Sequence, residues 1–345
     1  MAPSAAGPPR GATRDDVARL AGVSSAVVSY VVNNGPRPVS ETTRRRVEEA
    51  IDKLGYRPNA AARSLIKGRS DLLGLIVPDI RNPYFAALAQ AVERAARKRS
   101  LNLVLTQGPT GGLASLVESL GGQLVAGIIA ATLPEPEAIA AALRNRIPMV
   151  KLSLASPGDA VAGVWPDYYG GARTAVRHLV EVHGHQRIAL VMGADEPGES
   201  VPDDRQRGWQ DALESAGLGT DHLLHVPWSA AGGRAAAGRI VREHPGVSAV
   251  FTSSDQQAIG FIAGLNQLGL TVPGDLALVS FDGSPDAEYT VPPLTTAAVP
   301  MAAMADDALA ILLGDLLSQR GHRTSLVIRE SCGCSGREQG RASTQ

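Results

Sequence analysis

The 345-residue sequence predicts an α/β protein with a small helix-turn-helix head and a two-lobed core of parallel, doubly wound sheets. Three observations carry this. Near the amino end, small apolar residues recur at helical spacing in two adjacent segments separated by a three-residue turn. Beyond Ser70, short apolar runs alternate with amphipathic stretches, the pattern of strand and covering helix. The alternation comes as two successive series, and the length is sufficient for two or three domains.

Taken in order, a first helix from Arg14 draws its apolar face from Val17, Ala18 and Leu20. Gly22 supplies a turn position tolerant of positive φ, and Val23 plugs the corner. Ser24 caps a second helix in which Val28, Val31 and Val32 pack inward, leaving Ser25, Ala26, Ser29 and Tyr30 outward. After Asn34-Gly35-Pro36, a third helix starts in the run Val39 to Thr43. It continues through Arg44, Arg45, Arg46, Val47 and Ile51 to Leu54-Gly55-Tyr56. Two short helices at a tight turn serve to place a small polar helix face in the DNA major groove.

Strands follow at Leu72 to Val77, Leu101 to Leu105, Gly127 to Ile129 and Met149-Val150, with helices at Phe85 to Arg97 and Ala138 to Arg144. A second series places strands at Ile188 to Val191, Ala249 to Phe251 and Leu276 to Val279. Its helices run Ala172 to Val182, Gln206 to Ala216 and Gln257 to Leu268. Open sheets of this kind bind ligands beyond the carboxyl ends of their strands, so a cleft between two lobes is the natural small-molecule site.

Charge is segregated. Residues 1–70 carry 12 Lys/Arg against 6 Asp/Glu, and the remainder 21 against 28, so a basic head precedes a mildly acidic body. A composition of 44% hydrophobic and 19% charged residues is ordinary for folded α/β proteins. The stretch Met1 to Gly11 lacks the apolar core of a secretion signal, and no later run is long enough to span a membrane, which leaves the cytoplasm as the expected location. Cys332 and Cys334 stand too close for a comfortable disulfide and are too few for a zinc site, so they read as incidental thiols with no metal expected.

The order TRDDVARLAGVS, VVSYVVNN, VSETTRRRVEEAIDKLGYRPNAAARSL resembles the amino-terminal domain of the LacI/GalR family of bacterial transcriptional regulators, and the resemblance continues to about Glu330. It implies a flexible tail at 1–11, a helix-turn-helix DNA-binding domain at 12–57 and a hinge helix or linker at 58–69. A periplasmic-binding-protein-like effector and dimerisation core would fill 70–332, with a second flexible tail at 333–345. Chain crossings near Asp167, Val299 and Gln319 would divide it into one lobe of about 71–168 and 300–318 and another of about 169–298 and 322–332.

By position in the family motif, Ser25, Ala26 and Tyr30 are expected at base edges, and Thr13, Ser24, Ser29, Asn33, Thr43 and Tyr56 at phosphates. Asn59, Ala62 and Leu65 fall in the hinge, where Leu65 resembles the side chain that wedges into the minor groove beside its symmetry mate. Tyr30 replaces the Arg that most similar members carry, Val27 a commoner Thr, and Arg14 a usually apolar residue, so no operator sequence carries over. Arg205 and Asp282 match the family's effector-binding Arg and its acidic counterpart, a pair suited to neighbouring hydroxyls. Tyr84, Phe85, Trp228 and Asp255 complete the expected pocket, while Ser153 stands where many sugar-binding relatives have Asp.

The implied function is a ligand-responsive transcriptional regulator. It would be a repressor binding a palindromic operator as a homodimer, with a sugar or related polar metabolite setting DNA affinity. No heptads for a tetramer-forming coiled coil follow Glu330. A solute-binding receptor would share the core but have no use for residues 12–65. An enzyme would need a convergent nucleophile, base or metal set that the seven histidines do not show in sequence, and Gly111-Gly112 lacks the strand context of a phosphate-binding loop. No catalytic residue or cofactor is expected.

Overall fold

The computed structural model describes residues 12–33, 35, 37–57, 70–108, 112–152, 161–194, 203–316 and 319–335. The chain divides after Ser70 into two compact units.

The first unit holds α1 (Arg14–Ala21), α2 (Ser25–Asn33) and α3 (Glu41–Leu54). Side chains set the helix starts: Thr13 and Asp16 form a reciprocal capping box on α1, and Ser40 accepts from the Thr43 amide at the start of α3. The core is Val17, Ala18 and Ala21 from α1, Val28 and Val31 from α2, and Val47 and Ala50 from α3. Leu20, expected to be inward, is 47% exposed. The stripe formed by 17, 18 and 21 is centred between the first two, and position 20 lies roughly a quarter-turn or more away. The Arg46 guanidinium donates to the Ala21 carbonyl and ties α3 to the turn after α1.

The second unit contains two six-stranded sheets. In chain order the first lobe is β1 (Leu72–Val77), α4 (Pro83–Arg97), β2 (Asn102–Gln107), α5 (Ala114–Gly122), β3 (Gly127–Ala130), α6 (Pro136–Arg144), β4 (Met149–Lys151) and β5 (Ala162–Pro166). The second is α7 (Tyr168–Glu181), β6 (Ile188–Ala194), α8 (Asp204–Ser215), β7 (Leu223–Pro227), α9 (Ala230–Glu243), β8 (Ala249–Thr252), α10 (Asp255–Gln267), β9 (Ala277–Asp282) and β10 (Thr295–Ala298). Helix α11 (Met301–Leu313) and β11 (Arg320–His322) return to the first lobe, and β12 (Ser325–Val327) closes the second.

The sheet orders are β11-β5-β4-β3-β1-β2 and β12-β10-β9-β8-β6-β7, parallel except that β12 runs antiparallel to β10. Crossings fall at Asp167, after Ala298, and between His322 and Ser325. The third is a correction to the expectation near Gln319, because β11 still pairs with β5. Helix α9 escaped the periodicity because its inward face is Gly232, Gly233, Ala236, Ala237 and Ile240, mostly too small to register as apolar. One core cluster runs through the crossings, joining Leu75, Val150 and Val164 to Leu179, Trp209 and Phe281.

Candidate nucleic-acid interface and ligand pocket

In the helical unit several expected phosphate contacts already make local bonds. The Thr13 hydroxyl gives its hydrogen to Asp16 Oδ2 at 2.6 Å, so it is committed to the cap. The Ser24 oxygen accepts from the Val27 amide at 3.4 Å, and Thr43 Oγ1 accepts from Ser40 Oγ at 2.8 Å. These two bonds do not use the hydrogens of Ser24 and Thr43, which is the polarity a phosphate requires. The Asn33 amide turns back on its own helix, donating to the Ser29 carbonyl at 3.1 Å and to Ser29 Oγ at 3.2 Å. Ala26 is exposed, Ser25 and Tyr30 are half-buried, and Tyr56 packs against the three-helix core. The Tyr30 ring lies over Gly35, where a Cβ would come within 2.6 Å of it. Asn59, Ala62, Leu65 and Ser153 lie outside the described residues.

Between the two sheets of the second unit lies a cavity of about 460 Å³, lined from the first lobe by residues that include Asn82, Tyr84, Phe85 and Thr132 and from the second by Tyr168, Arg205, Trp228, Ser254 and Asp282. The positions follow from strand and helix ends. Asn82 caps α4 through the Tyr84 amide, Arg205 starts α8, and Asp282 ends β9. Tyr84 and Phe85 meet edge to face with centroids 5.1 Å apart. Trp228 lies against β6 at Gly193, where a Cβ would stand 2.1 Å from the indole.

Arg205 is the polar centre. Nε and Nη2 donate to the two oxygens of Asp203 at 2.9 and 2.7 Å, and Nη1 donates to the Ser253 carbonyl at 3.0 Å. Of the five guanidinium hydrogens, these bonds leave two, one on each terminal nitrogen. The group sits 4.8 Å from the ring centroids of both Tyr168 and Trp228. Burial opposes its charge, but Asp203 outweighs that and holds its pKa above the usual Arg value. Burial likewise opposes the Asp203 charge, and Arg205 more than compensates, so that carboxyl lies below its usual range.

Asp282 is the reverse case. Burial, then the neighbouring Asp255 charge, push its pKa well above the usual carboxylate value, and its backbone takes a φ of 120°. Asp255 is also raised, by burial. Its oxygens accept from the Ser284 amide at 2.6 Å and Thr296 Oγ1 at 2.7 Å, while its own amide donates to Asp282 Oδ2 at 3.3 Å. Asp255 therefore buttresses Asp282 from behind the lining, which corrects its expected place as a ligand contact. Tyr168 is the main residue the sequence reading missed. It follows the crossing residue Asp167, stacks on Phe281 with centroids 5.6 Å apart, and burial raises its pKa to about 12.

Cys332 and Cys334, expected to be incidental thiols, do not stand alone in the fold. Folding brings them to His178 and His183, with one ligand atom from each residue within 4.8 Å of the others. The sequence reading weighed the two cysteines without these histidines, which lie some 150 residues earlier on α7 and in the turn after it.

Among known proteins, residues 13–59 match the model of the bacterial regulatory proteins of the lacI family, and residues 176–332 match the periplasmic binding protein-like domain. The HTH-type transcriptional regulator GalR of Escherichia coli is 34% identical over 313 residues, covering 88% of this chain and 90% of the relative. An uncharacterised HTH-type transcriptional regulator from the aml 5′ region of Streptomyces limosus is 37% identical, with 91% of each chain covered. Among solved structures, a lac repressor dimer bound to operator and the anti-inducer ONPF aligns with a TM-score of 0.82 at 28% identity over 94% of this chain and 99% of the other. A CelR–cellobiose complex aligns at 0.67 and 31% identity, covering 93% and 99%.

Proposed function

Because the chain belongs to the LacI/GalR family of bacterial transcriptional regulators, we propose that it represses transcription from a palindromic operator as a homodimer, controlled by a polyhydroxylated ligand in the interlobe cavity. It is a ligand-responsive DNA-binding regulator and not an enzyme. Residues 12–57 serve as the DNA-binding domain, 58–69 as hinge and 70–332 as the effector and dimerisation core. No helix among the described residues is long and apolar enough to cross a membrane, and a cytoplasmic location follows from the regulatory role.

The observation that carries the ligand class is the cavity itself. Two remaining Arg205 hydrogens and the Asp282 carboxyl stand among Tyr84, Phe85, Tyr168 and Trp228, which offer flat apolar faces. Sugars need both components, since their hydroxyls pair with forked polar groups and their C–H faces lie on aromatic rings. The CelR relative forms a complex with cellobiose, which supports a saccharide, whereas Ser153 in place of Asp removes a bidentate acceptor and argues against copying any one relative's sugar. Ala26, Ser25 and Tyr30 read bases, with Ser24 and Thr43 on phosphates.

Selection of bound sites from a randomised DNA library by the full chain tests the first part; an inverted repeat is expected, and enrichment of no symmetric site would reject it. A thermal-shift screen of mono- and oligosaccharides, sugar phosphates and nucleosides tests the second. A stabilising ligand should change operator affinity by roughly 5–150-fold and lose its effect in Arg205→Ala. A ligand whose binding survives that change would place its site elsewhere.

A further inference from the structure

At the opposite end of α7 from the cavity residue Tyr168, His178 on the last turn of the helix and His183 in the turn after it approach the final described turn, Ser331 to Cys334. The two imidazole Nε2 atoms are 3.3 Å apart, and Cys334 Sγ lies 3.5 Å from that of His178 and 3.4 Å from that of His183. Tetrahedral zinc, with bonds of about 2.0–2.1 Å to nitrogen and about 2.3 Å to sulfur, sets its donors about 3.4 Å apart for an N–N edge and about 3.5 Å for an N–S edge. A chain of hydrogen bonds joins neighbours and leaves its ends apart. Here all three atoms touch one another, forming a triangular face of that tetrahedron. Cys332 Sγ supplies a fourth donor within 4.8 Å of each.

We infer that His178, His183, Cys332 and Cys334 form a closed site for a borderline-soft divalent cation, zinc, that staples the carboxy-terminal turn to α7. Two thiolates and two neutral imidazoles neutralise the ion, and the two thiol protons leave to solvent on binding. The surroundings suit that chemistry. Thr295 Oγ1 lies 3.2 Å from Cys332 Sγ, placed to donate to a thiolate as outer-shell support. Gly333, between the two cysteines, takes a φ of 104°, and a Cβ there would stand 3.3 Å from His183 Nδ1. The backbone around Ser331 is laced to the sheet, with Ser331 Oγ donating to the Leu278 carbonyl at 2.7 Å and accepting from the Thr295 amide at 2.8 Å. His178–His183 has the H-x₄-H spacing of zinc ligands, whereas Cys332-Gly333-Cys334 is one residue shorter than the usual cysteine pair.

The test uses untagged full-length protein purified under reducing conditions, with elemental analysis and titration of the chelator-treated chain by zinc and by cobalt. One zinc per chain is expected, with cobalt giving the intense visible bands of tetrahedral coordination and a sulfur-to-metal charge-transfer band. Cys334→Ser and His183→Gln, at half-buried positions that the fold tolerates better than the buried Cys332, should each lower zinc affinity at least tenfold. Chelation should lower the melting temperature of the wild type and leave that of the variants unmoved. Zinc content equal in wild type and in a variant combining Cys334→Ser with His183→Gln, or cobalt spectra without sulfur bands, would mean an adventitious ion only and overturn the site.

Discussion

At the scale of single residues, the pocket turns on how its charges are already engaged. Arg205 and Asp282 were legible from the sequence, but the bidentate hold of Asp203 on Arg205 was not, because it depends on the rotamer at the first turn of α8. Asp203→Asn removes the counter-charge of an arginine whose side chain is only 11% exposed. It should destabilise the core unit by about 3 kcal/mol, the lower end for breaking a buried pair, as read by chemical denaturation. A loss under about 1 kcal/mol would show that solvent screens the pair. Gly193→Ala tests the aromatic wall, since its Cβ would stand 2.1 Å from the Trp228 indole. Stability should fall by about 1–3 kcal/mol, and the affinity of the screened ligand by about tenfold or more, about 1.4 kcal/mol, by calorimetry. Unchanged affinity would remove Trp228 from the binding surface.

At the scale of elements, helix starts were readable because caps are local chemistry, as at Thr13 and Ser40, whereas α9 was hidden by its glycine and alanine face. Thr13→Ala should lower the stability of the three-helix unit by about 1 kcal/mol, with Thr13→Ser retaining most of it, in thermal melts. Operator affinity should follow stability alone, since the hydroxyl hydrogen is spent on Asp16; a steeper loss would establish a direct phosphate contact. For the hinge, Leu65→Ala should weaken specific operator binding strongly while leaving salt-dependent nonspecific binding intact, because a minor-groove wedge acts only where two hinges meet on a symmetric site. Equal losses on both kinds of DNA, by anisotropy titration, would refute the wedge.

At the scale of the whole molecule, two acids at the cavity give opposite pH responses. The Asp203 pKa is lowered on folding, so its contribution is present above the ordinary Asp range and is lost as pH falls through the lowered value. The Asp282 pKa is raised, so the folded chain holds a proton that the unfolded chain has released, and stability falls as pH rises from the ordinary Asp range through the raised value. Asp282→Asn should therefore stabilise the core at neutral pH and flatten that slope in denaturation series, while weakening a polyhydroxylated ligand. A variant less stable at neutral pH would mean that the carboxylate is better satisfied than its burial beside Asp255 implies.

The sequence by itself determined the modular order, the capped helices and the two wound sheets, because caps and hydrophobic periods act between residues a few positions apart. It also marked Arg205 and Asp282 as pocket residues through motif position, and Tyr84, Phe85 and Trp228 as aromatic surfaces beside them. Only the tertiary structure set Asp255 behind Asp282, brought Tyr168 into the lining, moved the third crossing beyond His322 and assembled two histidines with two cysteines some 150 residues away. Those outcomes depend on which strand ends and turns meet when two sheets close on one core. Spacing along a chain does not encode such long-range meetings.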